Sequence, residues 1–145
     1  MRSPISASFL GGMAGAVALT AVHESIRQVV PQAPRIDLVG IRAINSIIRG
    51  TDFKQPDAET KRGMALSGDL MANATFYSLA GTSWAKGVLL GLGAGLGGLI
   101  LPGKLGLGDA PTNRTTETQV MTVGYYVLGG IAAVAATRAL KKYLK

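Results

Sequence analysis

The stretch GVLLGLGAGLGGLILPGKLG, Gly87 to Gly106, decides how the rest of the chain is read, because it fits two nucleotide-binding patterns and a membrane-helix pattern at once. Gly93, Gly95 and Gly98 match G-x-G-x-x-G, and Gly98 through Lys104 match the first seven positions of a phosphate loop. A dinucleotide fingerprint has to follow a buried strand and open a helix. These glycines follow the polar TSWAK and lie inside one continuous apolar run. A phosphate loop also needs Ser or Thr after its lysine to hold magnesium, whereas Leu105 follows Lys104. Helical spacing accounts for the glycines instead. Gly87, Gly91 and Gly95 recur every four residues, with Gly93 and Gly97 as a second pair. Such small-xxx-small rows let helices approach closely in lipid, where no hydrophobic force draws them together.

Working outward, the same signature recurs. Ile5 to Val22, Gly87 to Gly103 and Val120 to Thr137 carry no charged side chain, and Met64 to Trp84 carries only Asp69. Each is close to the roughly 20 residues a helix needs to cross a bilayer. Gly11 and Gly15 lie four apart in the first window, as do Gly129 and Ala133 in the last, with Thr137 continuing that row. Pro102 and Gly103 are expected to end the third span. Arg2 before an apolar run also suits a secretory signal, but His23 and Glu24 stand where a small-residue cleavage site belongs, so an uncleaved span is expected.

The 145 residues suit a single domain and contain no cysteine and one histidine, which excludes disulfide frameworks, thiolate metal sites and bis-His haem within one chain. A formal charge of +7 raises nucleic acid or an anionic membrane as partner, and the clustering of charge between apolar windows favours the membrane over nucleic acid. The cofactor is left unknown: His23 alone is available to hold a redox cofactor. The expected architecture is an all-α membrane protein: four transmembrane helices, at about 5–23, 64–83, 86–102 and 120–139, with an amphipathic helix at about 35–49 between the first and second.

That amphipathic segment, RIDLVGIRAINSIIRG, places Ile36, Ile41, Ala43, Ile44, Ile47 and Ile48 on one broad arc. Arg35, Arg42 and Arg49 form a stripe at seven-residue spacing opposite, and Asp37 alone breaks the pattern. An isoleucine face with an arginine stripe can lie in the bilayer interface with its guanidinium groups on lipid phosphates, or pack on its own bundle with a solvated charged face. TDFKQPDAETKR reads as a surface turn, LPGKLGLGDAPTNRTTETQ as a loop and RALKKYLK as a basic tail. With four crossings the tail and the amino terminus share the cytoplasmic side. With three, should the second window only dip into the bundle, the arginine helix and the tail are both inside.

The residues able to carry chemistry gather at one interface. Asp69, Asn73 and Tyr77 are spaced by four and so share a helical face, and an ionisable group inside a span costs roughly 3 kcal/mol on insertion scales. His23 and Glu24, with Arg27 one turn on, end the first span where an antiparallel neighbour would bring Asp69 near. The cluster suits a hydrogen-bond network that fixes how two helices dock, with a proton or cation path as the alternative. A lone histidine without a convincing nucleophile offers little to a hydrolase.

In their order, AVHESIRQVVPQAPRIDLVGIRAI, GDLMANATFYSL and LPGKLGLGDAPTNRTTETQVMTVGYYVLGG resemble a family of small, uncharacterised bacterial integral membrane proteins over most of the chain. The resemblance implies a multi-pass protein of the bacterial inner membrane and assigns no catalytic residue. The sequence therefore leaves two roles: a non-enzymatic protein that packs through its glycine faces as an oligomer or a subunit of a larger membrane complex, or a small transporter or channel-like protein using His23, Glu24 and Asp69.

Overall fold

Every described element is a helix. The computed structural model describes residues 4–108 and 110–143, so Arg2, Asp109 and the last two residues of the basic tail lie outside the described residues. The elements are α1 (Pro4–Ile26), α2 (Ile36–Arg49), α3 (Ala58–Ser78), α4 (Trp84–Lys104), the single turn α5 (Ala110–Asn113) and α6 (Thr116–Tyr143). Three of them, α1 over Ala7–Ile26, α4 and α6, are long and apolar enough to cross a membrane. At 21 residues α3 matches them in length, but its first turns carry Glu59, Lys61 and Arg62, and it is not among the three.

Glycine rows set the packing. α1 and α6 run antiparallel: a Cβ on Gly11 would meet the Thr137 hydroxyl and Ala133 O, and one on Gly15 would meet Gly129 O and the Ala133 Cβ. α4 lies antiparallel on a neighbouring face of α6. Cβ atoms on Gly87, Gly91 and Gly95 would fall 2.7 Å from Val134 Cγ2, 2.5 Å from Val127 Cα and 2.8 Å from Val123 Cα. All seven small residues expected to pack helices, including Gly129 and Ala133, thus face helices of their own chain. The second α4 row is different, since nothing lies within 4 Å of a Cβ on Gly93.

α3 lies antiparallel along α1, with Gly12 against the Ala74 carbonyl, and is tied to α6 by Tyr77, whose hydroxyl donates to Tyr126 O at 2.8 Å over the notch left by Gly129. α3 and α4 are joined by a tight turn at Gly81, whose φ of +55° suits glycine. Arg138 of α6 closes this turn by donating to Thr82 O at 3.0 Å and stacking on Trp84.

Boundaries differ from those expected where side chains take over backbone bonding. α3 begins six residues before Met64 because Asp57, following Pro56, caps it by accepting from Thr60 N at 2.8 Å, and it stops at Ser78 rather than near residue 83. α4 runs two residues past Pro102. Proline cannot donate to the carbonyl four residues back, and that carbonyl, Gly98 O, accepts instead from the Thr112 hydroxyl at 2.6 Å. The loop that supplies Thr112 contains α5, a turn not foreseen in LPGKLGLGDAPTNRTTETQ. The PQAP linker, which turns at Pro31 and Gln32, is held in the same way: Arg114 donates to Pro31 O and Thr118 to Gln32 O, both at 2.7 Å, while Arg35 N just after it donates to Pro111 O at 2.7 Å. Proline-rich backbone has few donors of its own, so side chains satisfy its carbonyls.

Candidate functional site

The polar residues converge where α1 ends and α2 and α3 begin. The chain turns back after α1, so α2 lies across the end of the helices, and Gly40 touches Ala65 of α3 at a Cβ distance of 3.1 Å. Two residues of the isoleucine arc, Ile36 and Ile48, are buried there, while Ile47 stays 67% exposed.

His23 is the centre of this corner and is 4% exposed. Its Nε2 lies 3.0 Å from Pro34 O, a pure acceptor, so the ring donates from that nitrogen. Nδ1 lies 3.4 Å from Glu24 Oε1 and Nε2 lies 3.8 Å from Asp37 Oδ1, contacts that become ion pairs only when the ring is protonated on both nitrogens. Tyr125 packs edge-on against the imidazole at 6.4 Å between ring centres. Glu24 accepts from Arg27 at 2.6 Å, and Arg62 of α3 approaches the same carboxylate at 3.8 Å.

Asp37 is the member that sequence reasoning passed over. Its carboxylate accepts from Arg35 Nε at 2.9 Å and Nη2 at 2.7 Å, a bidentate pair. Burial works against its charged form, but the Arg35 hydrogen bonds and the charges of Arg35, Arg27 and His23 outweigh it and hold the carboxyl below the usual range. The available signal was that Asp37 alone broke the apolar arc. A residue that breaks a pattern at the start of a helix has a partner elsewhere.

His23, Glu24 and Asp37 line a cavity of about 260 Å³ between α1, α2 and α3, together with Thr20, Arg62 and Asp69. The Thr20 hydroxyl is buried without a hydrogen-bond partner. His23 and Asp69 therefore share a space, as the antiparallel placement suggested, though they form no hydrogen bond or ion pair with each other. Asp69 accepts from Asn73 Nδ2 at 2.9 Å. Tyr77, expected beside them as polar lining, is buried in the α3–α6 contact instead. Among the described residues Asp69 forms no ion pair.

A second space opens on the other side of Asp69. α3 and α4 splay away from their turn, leaving a groove of about 550 Å³ floored by Tyr126 and lined by Phe76, Asn73, Gly93, Gly97 and Leu101. Asp69 lines both this groove and the cavity. Phe76, Tyr126 and Arg62 had no distinguishing mark in the sequence, since their place depends on how three helices meet.

The arginine stripe is divided among three tasks. Arg35 precedes α2 and binds Asp37, while Arg42 donates to Leu107 O at 2.8 Å and Arg49 is exposed. Arg42 and Arg49, with Asn45, Ser46 and the Gly106–Gly108 loop, line a polar cleft of about 430 Å³. Among the described residues no three His, Asp or Glu side chains form a group that could hold a metal ion. In comparisons with known proteins, no family model, curated protein or solved structure matches the chain.

Proposed function

We propose that this chain is a non-enzymatic integral protein of a bacterial inner membrane that crosses it four times, and that Asp69 passes a proton or small cation between the polar cavity and the groove between α3 and α4. The carrying observation is that Asp69 lines both spaces. An intramembrane carboxylate without an ion-pair partner is costly in lipid and is retained where ions move. His23 and Glu24 face the cavity on the side of the bundle end and would supply and accept the proton there; Asn73 orients the carboxylate.

α3 supports the fourth crossing. From Met64 onward its only charge is Asp69, and it runs antiparallel beside α1, while Glu59, Lys61 and Arg62 sit at the end where α2 lies. In this reading α2 rests in the interface, Ile47 towards the acyl chains and Arg42 and Arg49 towards lipid phosphates. Because the chain has no cysteine, Thr51→Cys and Lys142→Cys can be labelled one at a time in intact cells and in inverted vesicles. Four crossings put the two labels on opposite faces; labelling of both from one face would leave three.

The proton path is tested in proteoliposomes with an internal pH dye and an imposed membrane potential. Wild-type protein is expected to admit protons, and Asp69→Asn to reduce the flux at least tenfold. Equal flux in the two proteins sinks the relay.

A second reading, association, is favoured by one observation: Gly93 is open, and Leu89, Leu92, Leu96 and Ile100 are exposed on α4. The rows Gly11 with Gly15 and Gly87 with Gly91 and Gly95 are occupied from within one chain, so a second copy or a larger complex would use this outer α4 face. Native mass in mild detergent distinguishes it, a defined oligomer lost in Leu92→Ala with Leu96→Ala being its signature.

A further inference from the structure

The groove beside Asp69 has a composition of its own. It is concave and mostly apolar, its size falls in the range of pockets that enclose drug-sized molecules, and Asp69 is the one Asp, Glu, Lys, Arg or His side chain in its lining. Two aromatic rings, Phe76 and Tyr126, line it with that carboxylate. Among the described residues the only hydrogen-bond partner of Asp69 is the neutral amide of Asn73, and none of them pairs the charge with a cation. Opposite, Gly93 and Gly97 offer no side chain, which keeps the space open. Leu101 and Leu107 line the groove at the end near α2, and Arg42 fixes the loop carrying Leu107 through its carbonyl.

An apolar slot with aromatic faces and one unpaired negative charge suits a positive charge carried on an apolar body. Aromatic faces attract cations most strongly where water is excluded. A small hydrated ion would lose its shell in such a groove without enough oxygen ligands to replace it, and a neutral lipid chain would leave the carboxylate unmatched. Resting on the reading of Asp69 as the exchanging group, we propose that the α3–α4 groove binds a lipophilic monocation, with its charge on Asp69 and its apolar body against Phe76 and Tyr126. Where Asp69 is protonated, binding releases that proton towards the cavity, so charge balances as one cation replaces another.

The test uses the full chain in lipid nanodiscs with radiolabelled tetraphenylphosphonium as probe and triphenylphosphine oxide as a neutral competitor of similar shape. Saturable binding is expected at one site per chain, resistant to the neutral competitor. Asp69→Asn is expected to weaken it at least tenfold. Gly93→Leu, which places a side chain in open space at the groove, is expected to weaken it to a similar degree while circular dichroism shows the helices intact. Equal binding to wild type and Asp69→Asn, or full displacement by the neutral compound, overturns the proposal, because the probe is then only partitioning into apolar space. Absence of saturable binding overturns it too; if Asp69→Asn still abolishes proton flux in liposomes, the lipophilic cation alone falls and the relay stands, whereas unchanged flux removes both.

Discussion

Leucine at Gly15 or at Gly91 is expected to leave little folded protein. A Cβ on Gly15 would meet the Gly129 carbonyl and the Ala133 methyl, and one on Gly91 would lie 2.5 Å from Val127 Cα and 2.7 Å from Tyr126 O. The obstacles are mainly backbone, which cannot turn aside as a side chain can. The helices must separate, and a gap of even 1 Å forfeits much of the dispersion attraction along the whole contact. In lipid that attraction is the main force between them. Overpacking costs about 1–3 kcal/mol in ordinary cores and more where nothing can yield, so each variant should lose more than about 3 kcal/mol. Gly93→Leu is the matched control. It sits on the same helix two residues away, has nothing within 4 Å of its Cβ, and gains about 1 kcal/mol of helix propensity. Unfolding in a titration with denaturing detergent, followed by circular dichroism, checks the pair. Gly15→Leu as stable as wild type would mean that the rows do not hold the chain together. A stable monomer that loses only its oligomeric mass would restore them as association faces.

The helices and their packing residues were legible because periodicity is local. Gly87, Gly91 and Gly95 announce a close approach whatever approaches, and absence of charge marks α1, α4 and α6 without knowledge of their neighbours. What the spacing could not state was the partner. A row of glycines reads the same whether it faces a helix of its own chain or of another, and the rows Gly11 with Gly15 and Gly87 with Gly91 and Gly95 are both filled by α6. The boundaries missed are those set by a distant group. The Thr112 hydroxyl takes the carbonyl that Pro102 leaves unmatched, so the helix passes the proline rather than ending at it.

The candidate site divides along the same line. His23, Glu24 and Asp69 were picked out because charge in or beside an apolar window is conspicuous, and they do line one cavity. Tyr77 was grouped with Asp69 by four-residue spacing, but a tyrosine is long enough to reach a neighbouring helix, and Gly129 opened a notch for it. Arg35, Arg42 and Arg49 share a stripe in projection, yet among the described residues Arg35 and Arg42 have partners and Arg49 has none. Projection onto a wheel treats residue 35 as helical, and Arg35 lies just before α2, where its guanidinium turns back to Asp37.

That pairing gives the second large effect. Replacing Asp37 by asparagine should loosen α2 from the end of the bundle while leaving α1, α4 and α6 packed. Two charged hydrogen bonds from Arg35 are weakened at once, and the negative charge 3.8 Å from His23 Nε2 is removed. Breaking a fully buried pair costs about 3–5 kcal/mol, but the Arg35 side chain is 38% exposed and water recovers part of the loss, so about 2 kcal/mol is expected. That corresponds to roughly thirtyfold faster opening of α2, readable as hydrogen exchange of its amides against unchanged exchange in α6. The pH dependence follows from the direction of the shift. The folded Asp37 carboxyl titrates below its unfolded value of about 3.9, so its contribution is complete above that value and disappears as pH falls through the lower, folded one. Wild-type α2 should therefore open between about pH 4 and the folded value, after correction for intrinsic exchange, and Asp37→Asn should show no such step in that window. If α2 exchanges at the wild-type rate in Asp37→Asn, its anchor is the Gly40–Ala65 contact and the Arg42 hold on Leu107, and the cavity wall that α2 provides does not depend on charge.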